Sequence, residues 1–227
     1  MKLKNLLLIV FALLLGNQVN AQKWRFGLQA SPSLSWLKTD TKGIESDGSK
    51  LTFSWGFMAE YYFADNYAIA SGVNLGGYGG KMNTTNALAL EKYDMNLNYI
   101  DIPISVKMRT NEIGYMRYFG QFGFTPGINI KAKGDIETSY LGFPTETYDN
   151  EDIKSDIIPV NVGLLIALGA EYSLSGNTSL VFSASFHNGF IDVADFDIPD
   201  PSPSNQDNSK SITVNANSVR LNVGVLF

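Results

Sequence analysis

The sequence predicts an all-β fold, a closed eight-stranded antiparallel up-and-down transmembrane β-barrel, and three observations predict it. Apolar residues recur at every second position through eight segments, the connections between those segments alternate long and short, and the first 21 residues have the layout of a secretory signal.

The signal comes first. Lys2 and Lys4 precede an apolar run from Leu6 to Leu15, followed by Gly16 and a polar stretch ending Val19-Asn20-Ala21. Ten apolar residues are about half of the roughly 20 that a membrane-spanning helix needs. Residues 1–21 are therefore expected to be a cleaved signal peptide and residues 22–227 the outer-membrane barrel domain. No cysteine follows the apolar run, which excludes a lipid-anchored lipoprotein. The chain has no cysteine at all, so no disulfide staples it and stability must come from the fold.

Without the signal, 15 Lys and Arg stand against 22 Asp and Glu, a net charge of −7. That balance carries no nucleic-acid footprint. No later stretch reaches 18 consecutive apolar residues, so any membrane crossing is by strands.

The strands can be read by parity. In Trp24 to Leu37 the residues Trp24, Phe26, Leu28, Ala30, Leu34 and Trp36 oppose Arg25, Gly27, Gln29, Ser31, Ser33 and Ser35. In Leu51 to Phe63 the odd positions are apolar or aromatic, and in Ile158 to Leu174 the even ones are. The last strand, Ile212 to Phe227, alternates Val219, Leu221, Val223, Val225 and Phe227 with Arg220, Asn222, Gly224 and Leu226. Tyr67 to Gly80, Asn96 to Arg109, Arg117 to Ala132 and Ser179 to Phe190 complete the eight.

An eight-stranded pattern also fits a soluble sandwich. Two features select the barrel. The connections run 13, 3, 15, 7, 25, 4 and 21 residues, as periplasmic turns alternating with extracellular loops would. The second face of each strand is rich in Gly, Ser, Asn and Ala, which suits a narrow lumen. Trp24 and Trp36 share a face and would lie about 28 to 31 Å apart along the membrane normal, matching two interfacial anchors. Tyr61, Phe63, Tyr67, Tyr172 and Phe227 fall near short turns or the last residue and would form a periplasmic aromatic girdle.

Parity sends Arg25, Glu60, Asp101, Lys107, Arg109, Glu171 and Arg220 into the lumen. A charge enclosed by protein is costly unless paired, so a pairing network that plugs the barrel is expected. The alternative is a solute path lined by these charges. Pro103 also faces the lumen by parity and removes one ladder donor, which predicts a bulge or kink there.

No catalytic, cofactor-binding or metal-ligating constellation is found. His187 is the only histidine and no Gly-x-Ser-x-Gly motif is present; the histidine is expected to be a hydrogen-bonded lumen residue. Gly76-Gly77-Tyr78-Gly79-Gly80 lacks the helix and Lys-Ser/Thr of a phosphate loop and is expected to bend its strand near the extracellular rim. Asp192, Asp195, Asp197 and Asp200, with Pro199, Pro201 and Pro203, make the last long loop acidic, in spacing that does not match an EF-hand. Asp135, Glu137, Glu146, Asp149, Glu151, Asp152 and Asp156 give the third long loop the same character. Both are read as solvated acidic loops.

Tyr99-Ile100-Asp101-Ile102-Pro103-Ile104-Ser105-Val106-Lys107 resembles a segment of the small outer-membrane β-barrel proteins of the porin family, PorT-like and of the OmpX/OmpA eight-stranded type. Phe122 to Gly127 and Val162 to Tyr172 resemble two of that family's glycine-spaced strands. Phe186-His187-Asn188-Gly189-Phe190 departs from it where many members place Tyr and Leu. The resemblance implies a place in the outer membrane and a structural or loop-mediated interaction role at the cell surface. A narrow passive porin-like channel and a PorT-like accessory part of a protein secretion system are the alternatives it leaves open. The partners expected are outer-membrane lipid and lipopolysaccharide, an extracellular partner through the long loops, and the barrel-assembly machinery through the C-terminal strand ending in Phe227. The chain is expected to be a monomer without enzymatic activity or cofactor.

Overall fold

The computed structural model describes residues 23–41, 43–85, 89–140, 143–195, 197–199 and 209–227. The expected signal peptide, and Asp200, Pro201 and Pro203 of the last loop, lie outside the described residues. Alternating sequence gives long strands: β1 (Trp24–Thr39), β2 (Ile44–Ala64), β3 (Tyr67–Thr85), β4 (Ala89–Asp101), β5 (Ile104–Arg109), β6 (Met116–Tyr140), β7 (Glu146–Asp152), β8 (Val160–Ser175), β9 (Thr178–Gly189), β10 (Asp197–Pro199), β11 (Ser209–Ser211) and β12 (Val214–Leu226).

The ladder closes on itself. β1 pairs with β2 from Trp24↔Tyr61 to Trp36↔Ser49, and with β12 from Gly27↔Leu226 to Thr39↔Val214. Between them run β3, the β4 and β5 pair, β6, β8 and β9, every neighbour antiparallel. Counting β4 and β5 as one interrupted wall strand gives eight, so no edge is left in the ring. β7 folds back on β6 outside the ring, and β10 pairs with β11 alone.

The outside of the ring is apolar. Leu28 is 60% exposed, Leu168 70% and Leu221 60%, with Phe53, Trp55, Ile104, Phe122 and Val223 in the same belt. Such surface is unstable in water and stable in lipid, the inverse of a soluble core. Phe63, Tyr67, Tyr172 and Phe227 are exposed at the short-turn end, where Trp24 packs against Tyr61 and Phe63 against Tyr67. Among the described residues no helix is long and apolar enough to cross a membrane.

The structure corrects three local expectations. The first two long connections are mostly strand: β1 and β2 continue to Thr39 and Ile44, and β3 and β4 to Thr85 and Ala89. Apolar alternation stops where lipid stops, but backbone pairing does not need lipid and carries on into the extracellular space. Pro103 interrupts the strand without a bulge, because the register with β3 and β6 is unchanged from Asp101 to Ile104. Ile102 still donates its N–H to the Pro126 carbonyl at 2.8 Å. The bulge lies higher, where Asn98↔Lys131 gives way to Tyr99↔Asn129. It leaves Ile130 and Lys131 both exposed and reverses the inside and outside positions of β6 beyond them.

Candidate functional site

The short turns place four strands around one buried carboxylate. Glu171 of β8 is fully buried and accepts from Arg25 of β1 at 2.6 Å and from Lys107 of β5 at 2.5 Å; Arg109 is 3.8 Å away. Lys107 also reaches Glu60 of β2 at 2.6 Å, and the Tyr62 hydroxyl donates to Glu60 at 2.8 Å. Arg25 makes two further bonds, to Ser179 Oγ at 2.9 Å and to the Asn177 carbonyl at 3.2 Å. Arg109 lies over the Tyr62 ring and Lys107 over the Phe119 ring. Three cations and two carboxylates thus cross-link opposite walls of the lumen at its periplasmic end. Beneath them the barrel opens into a vestibule of about 700 Å³.

Higher in the lumen Arg220 of β12 pairs with Asp101 of β4 at 3.2 Å, and Tyr78 donates to the same carboxylate at 3.1 Å while its ring lies beneath the guanidinium. Between the two charge groups is a cavity of about 70 Å³, where Gln29, Asn74, Ser183 and Asn222 share the wall with Met58, Phe119 and Leu165. It has room for about two waters at the roughly 30 Å³ that each takes up in the liquid. His187 borders it, with Nε2 at 3.3 Å from Ser185 Oγ and no partner on Nδ1.

Above Asp101 the lumen turns apolar. Leu37, Tyr78, Met82, Met95, Leu97, Tyr99 and Ala132 from the wall pack with Ile153, Ile157, Val193, Ala194 and Ile212 from the connections. Two of those connections are stitched together as a cap. Ile158 donates to the Val193 carbonyl at 3.0 Å, Asp195 to that of Asp156 at 2.8 Å, and Val193 to that of Val214 at 2.8 Å. The Asp192 carboxylate accepts the backbone N–H of Ala194 at 3.0 Å and of Val214 at 2.8 Å, so it holds the cap in shape.

All seven charges assigned to the lumen by parity are there, and six of them are buried. Their pairing differs from strand order. Arg25 and Glu60 are direct cross-strand neighbours, yet Arg25 pairs across the barrel with Glu171 and Glu60 with Lys107. The apolar layer and its cap were missed. Met82 and Met95 sit in what reads as a polar connection, and only the extension of β3 and β4 brings them inside. On the outer face Asp94 and Asp135 are directly opposed, a like-charge pair relieved by Lys50 and Lys81, which both bind Asp94. Among the described residues no group of three or more His, Cys, Asp or Glu is arranged to hold a metal ion.

The model of a family described as outer membrane protein beta-barrel domain matches residues 20–195. Among solved structures, the outer membrane protease OmpT from Escherichia coli is 9% identical, with a TM-score of 0.52 over 92% of this chain and 97% of that one. OprG from Pseudomonas aeruginosa is 13% identical, with a TM-score of 0.47 over 90% of this chain and 97% of that one. Neisserial surface protein A is 16% identical, with a TM-score of 0.45 over 88% and 95%. At these identities the likeness to OmpT is one of fold. No curated protein matches the chain.

Proposed function

Because the chain belongs to the family of the outer membrane protein beta-barrel domain, we propose that this outer-membrane barrel works by presenting its extracellular hairpins and cap to partners at the cell surface, not by passing solutes. The observation that carries this reading is the double closure of the lumen. Ion pairs close the periplasmic half, a capped apolar layer closes the extracellular half, and the cavity between them measures about 70 Å³. A narrow passive channel needs a continuous polar path, and the apolar layer interrupts it. Purified protein in planar bilayers is expected to leave the baseline conductance unchanged. Stable single-channel steps of uniform size would overturn the proposal.

No catalytic role is assigned: the Ser185 and His187 pair lies in the closed cavity, with no carboxylate among its hydrogen bonds. We propose that residues 1–21 are removed on export and that residues 22–227 form the barrel domain, which acts as a monomer in contact with outer-membrane lipid and, on its outer side, lipopolysaccharide.

The barrel-assembly machinery is proposed to read β12 through Phe227. This side chain is 56% exposed, while its backbone N–H and C=O both pair with Phe26 across the seam, at 2.8 and 3.0 Å. Phe227→Ala keeps those backbone bonds. Its expected effect is a several-fold fall in outer-membrane yield with little change in the unfolding midpoint of the protein that inserts. An unchanged yield would remove the machinery from this reading.

A further inference from the structure

On the extracellular side of the apolar layer, with Met95 and Ile153 of that layer in its wall, lies a further cavity, of about 280 Å³. Its walls are Tyr93 and Met95 of β4, Gly134 and Ile136 of β6, and Ile153 and Asp156 of the connection after β7. Five of the six contribute apolar or aromatic surface, or no side chain at all; the sixth is a carboxylate. The volume lies just under the range of about 300 to 1,000 Å³ in which whole small ligands are held. It suits one large apolar side chain. The chain around it is strongly acidic, with seven Asp and Glu against one Lys in residues 134–156. β7 itself is exposed at every residue and, among the described residues, pairs only with β6.

We propose that this cavity is the anchor pocket for a basic, extended peptide segment of a protein partner, which inserts one aromatic or aliphatic side chain against Met95, Ile136 and Ile153 while its lysines or arginines face Asp156 and the β7 acids. The pocket supplies what charge alone does not. Acidic surface attracts any polycation and is screened by salt within about a Debye length of 8 Å at physiological ionic strength. A desolvated apolar pocket discriminates by side-chain size and is insensitive to salt. Among the described residues the Asp156 carboxylate accepts from the Ser155 hydroxyl at 3.1 Å and keeps acceptor capacity for a cation. The inference rests on the surface-interaction role proposed above and names the chemistry of the partner.

The test uses the full barrel in phosphatidylcholine nanodiscs and a synthetic twelve-residue probe of alternating Lys and Ser with one central Phe, followed by calorimetry. A second probe has Ala for Phe, and a third has Glu for Lys. The Phe probe is expected to bind at least tenfold more tightly than the Ala probe, with the Glu probe inert. Gly134→Val fills the pocket, because the nearest atoms to a Cβ at Gly134 belong to the flexible Ile153 side chain, at 3.2 Å. That variant should erase the Phe preference while leaving the salt-sensitive binding common to both Lys probes. Asp156→Asn should weaken both Lys probes and keep the preference. Equal affinity of the Phe and Ala probes, no binding of either, or a Phe preference that survives Gly134→Val would each overturn the pocket. None of these results depends on conductance, so failure here is distinct from failure of the closed-lumen reading.

Discussion

Glu171→Gln is expected to destabilise the folded barrel by about 3 to 5 kcal/mol, the cost of leaving buried charge uncompensated. In the native lumen Glu171 is the common acceptor of Arg25 at 2.6 Å and Lys107 at 2.5 Å, with Arg109 at 3.8 Å. Glutamine has almost the same shape, so packing survives and the electrostatic loss is isolated. After the change three cations face one carboxylate, Glu60, and only Arg25 and Arg109 border the vestibule where water can screen them. Lys107→Met makes the contrast. It removes one cation and leaves Arg25 and Arg109 to balance Glu60 and Glu171, so its cost should be the smaller of the two even though it deletes two ion pairs. Urea unfolding of both variants in lipid vesicles, followed by the mobility shift between folded and unfolded barrel, gives the comparison. If Glu171→Gln unfolds within about 1 kcal/mol of the native protein, the cluster does not behave as a buried network. If Lys107→Met is the worse variant, the two ion pairs and the cation–π contact with Phe119 outweigh charge balance.

How much of this was legible in the sequence depends on whether period 2 alone carries the information. Parity divides lipid from lumen, and it put Glu171, Lys107 and Arg220 on the inside because each sits between apolar neighbours. It says nothing about depth or about which strand lies opposite. Arg25 and Glu60 read as a neighbouring pair, whereas the curvature of a narrow barrel brings β1 and β5 onto β8. Parity is also blind to a bulge. Ala132 falls on the lipid face if the alternation of β6 is unbroken from Phe122, and the extra residue at Ile130 turns it into a fully buried member of the apolar layer. The cap was illegible for a further reason. Ile153 and Val193 are isolated apolar residues in acidic connections and Ile157 stands at the end of one, and only tertiary pairing between those connections gives them a common core.

Gly80→Val is expected to be the most damaging single change in the upper barrel. β2 and β3 pair from Ala64↔Tyr67 up to Ser54↔Gly76, and again from Gly48↔Lys81, but residues 49–53 and 77–80 between those points do not pair with one another. There β3 steps inside β2 and rests on β1, two strands away. Ser35 Oγ donates to the Gly79 carbonyl at 3.0 Å, and a Cβ on Gly80 would stand 2.6 Å from the Leu37 backbone nitrogen and 3.2 Å from the Trp36 carbonyl carbon. The obstacle is main chain held in the β1 ladder, which cannot swing aside as a side chain can. Overpacking ordinarily costs about 1 to 3 kcal/mol because neighbours shift rotamer; here β3 itself must leave β1, and Tyr78 and Met82 leave the apolar layer with it. The expected loss is above that range. Gly114→Ala is the control, since Gly114 has φ +67° and nothing within 4 Å of an added Cβ. It meets only the left-handed backbone penalty of about 1 to 2 kcal/mol. A Gly80→Val barrel that folds as well as Gly114→Ala would mean that the contact between β3 and β1 is dispensable. One that folds but conducts ions would locate the extracellular closure at this glycine, because opening the step between β3 and β1 removes the wall against which the cap packs.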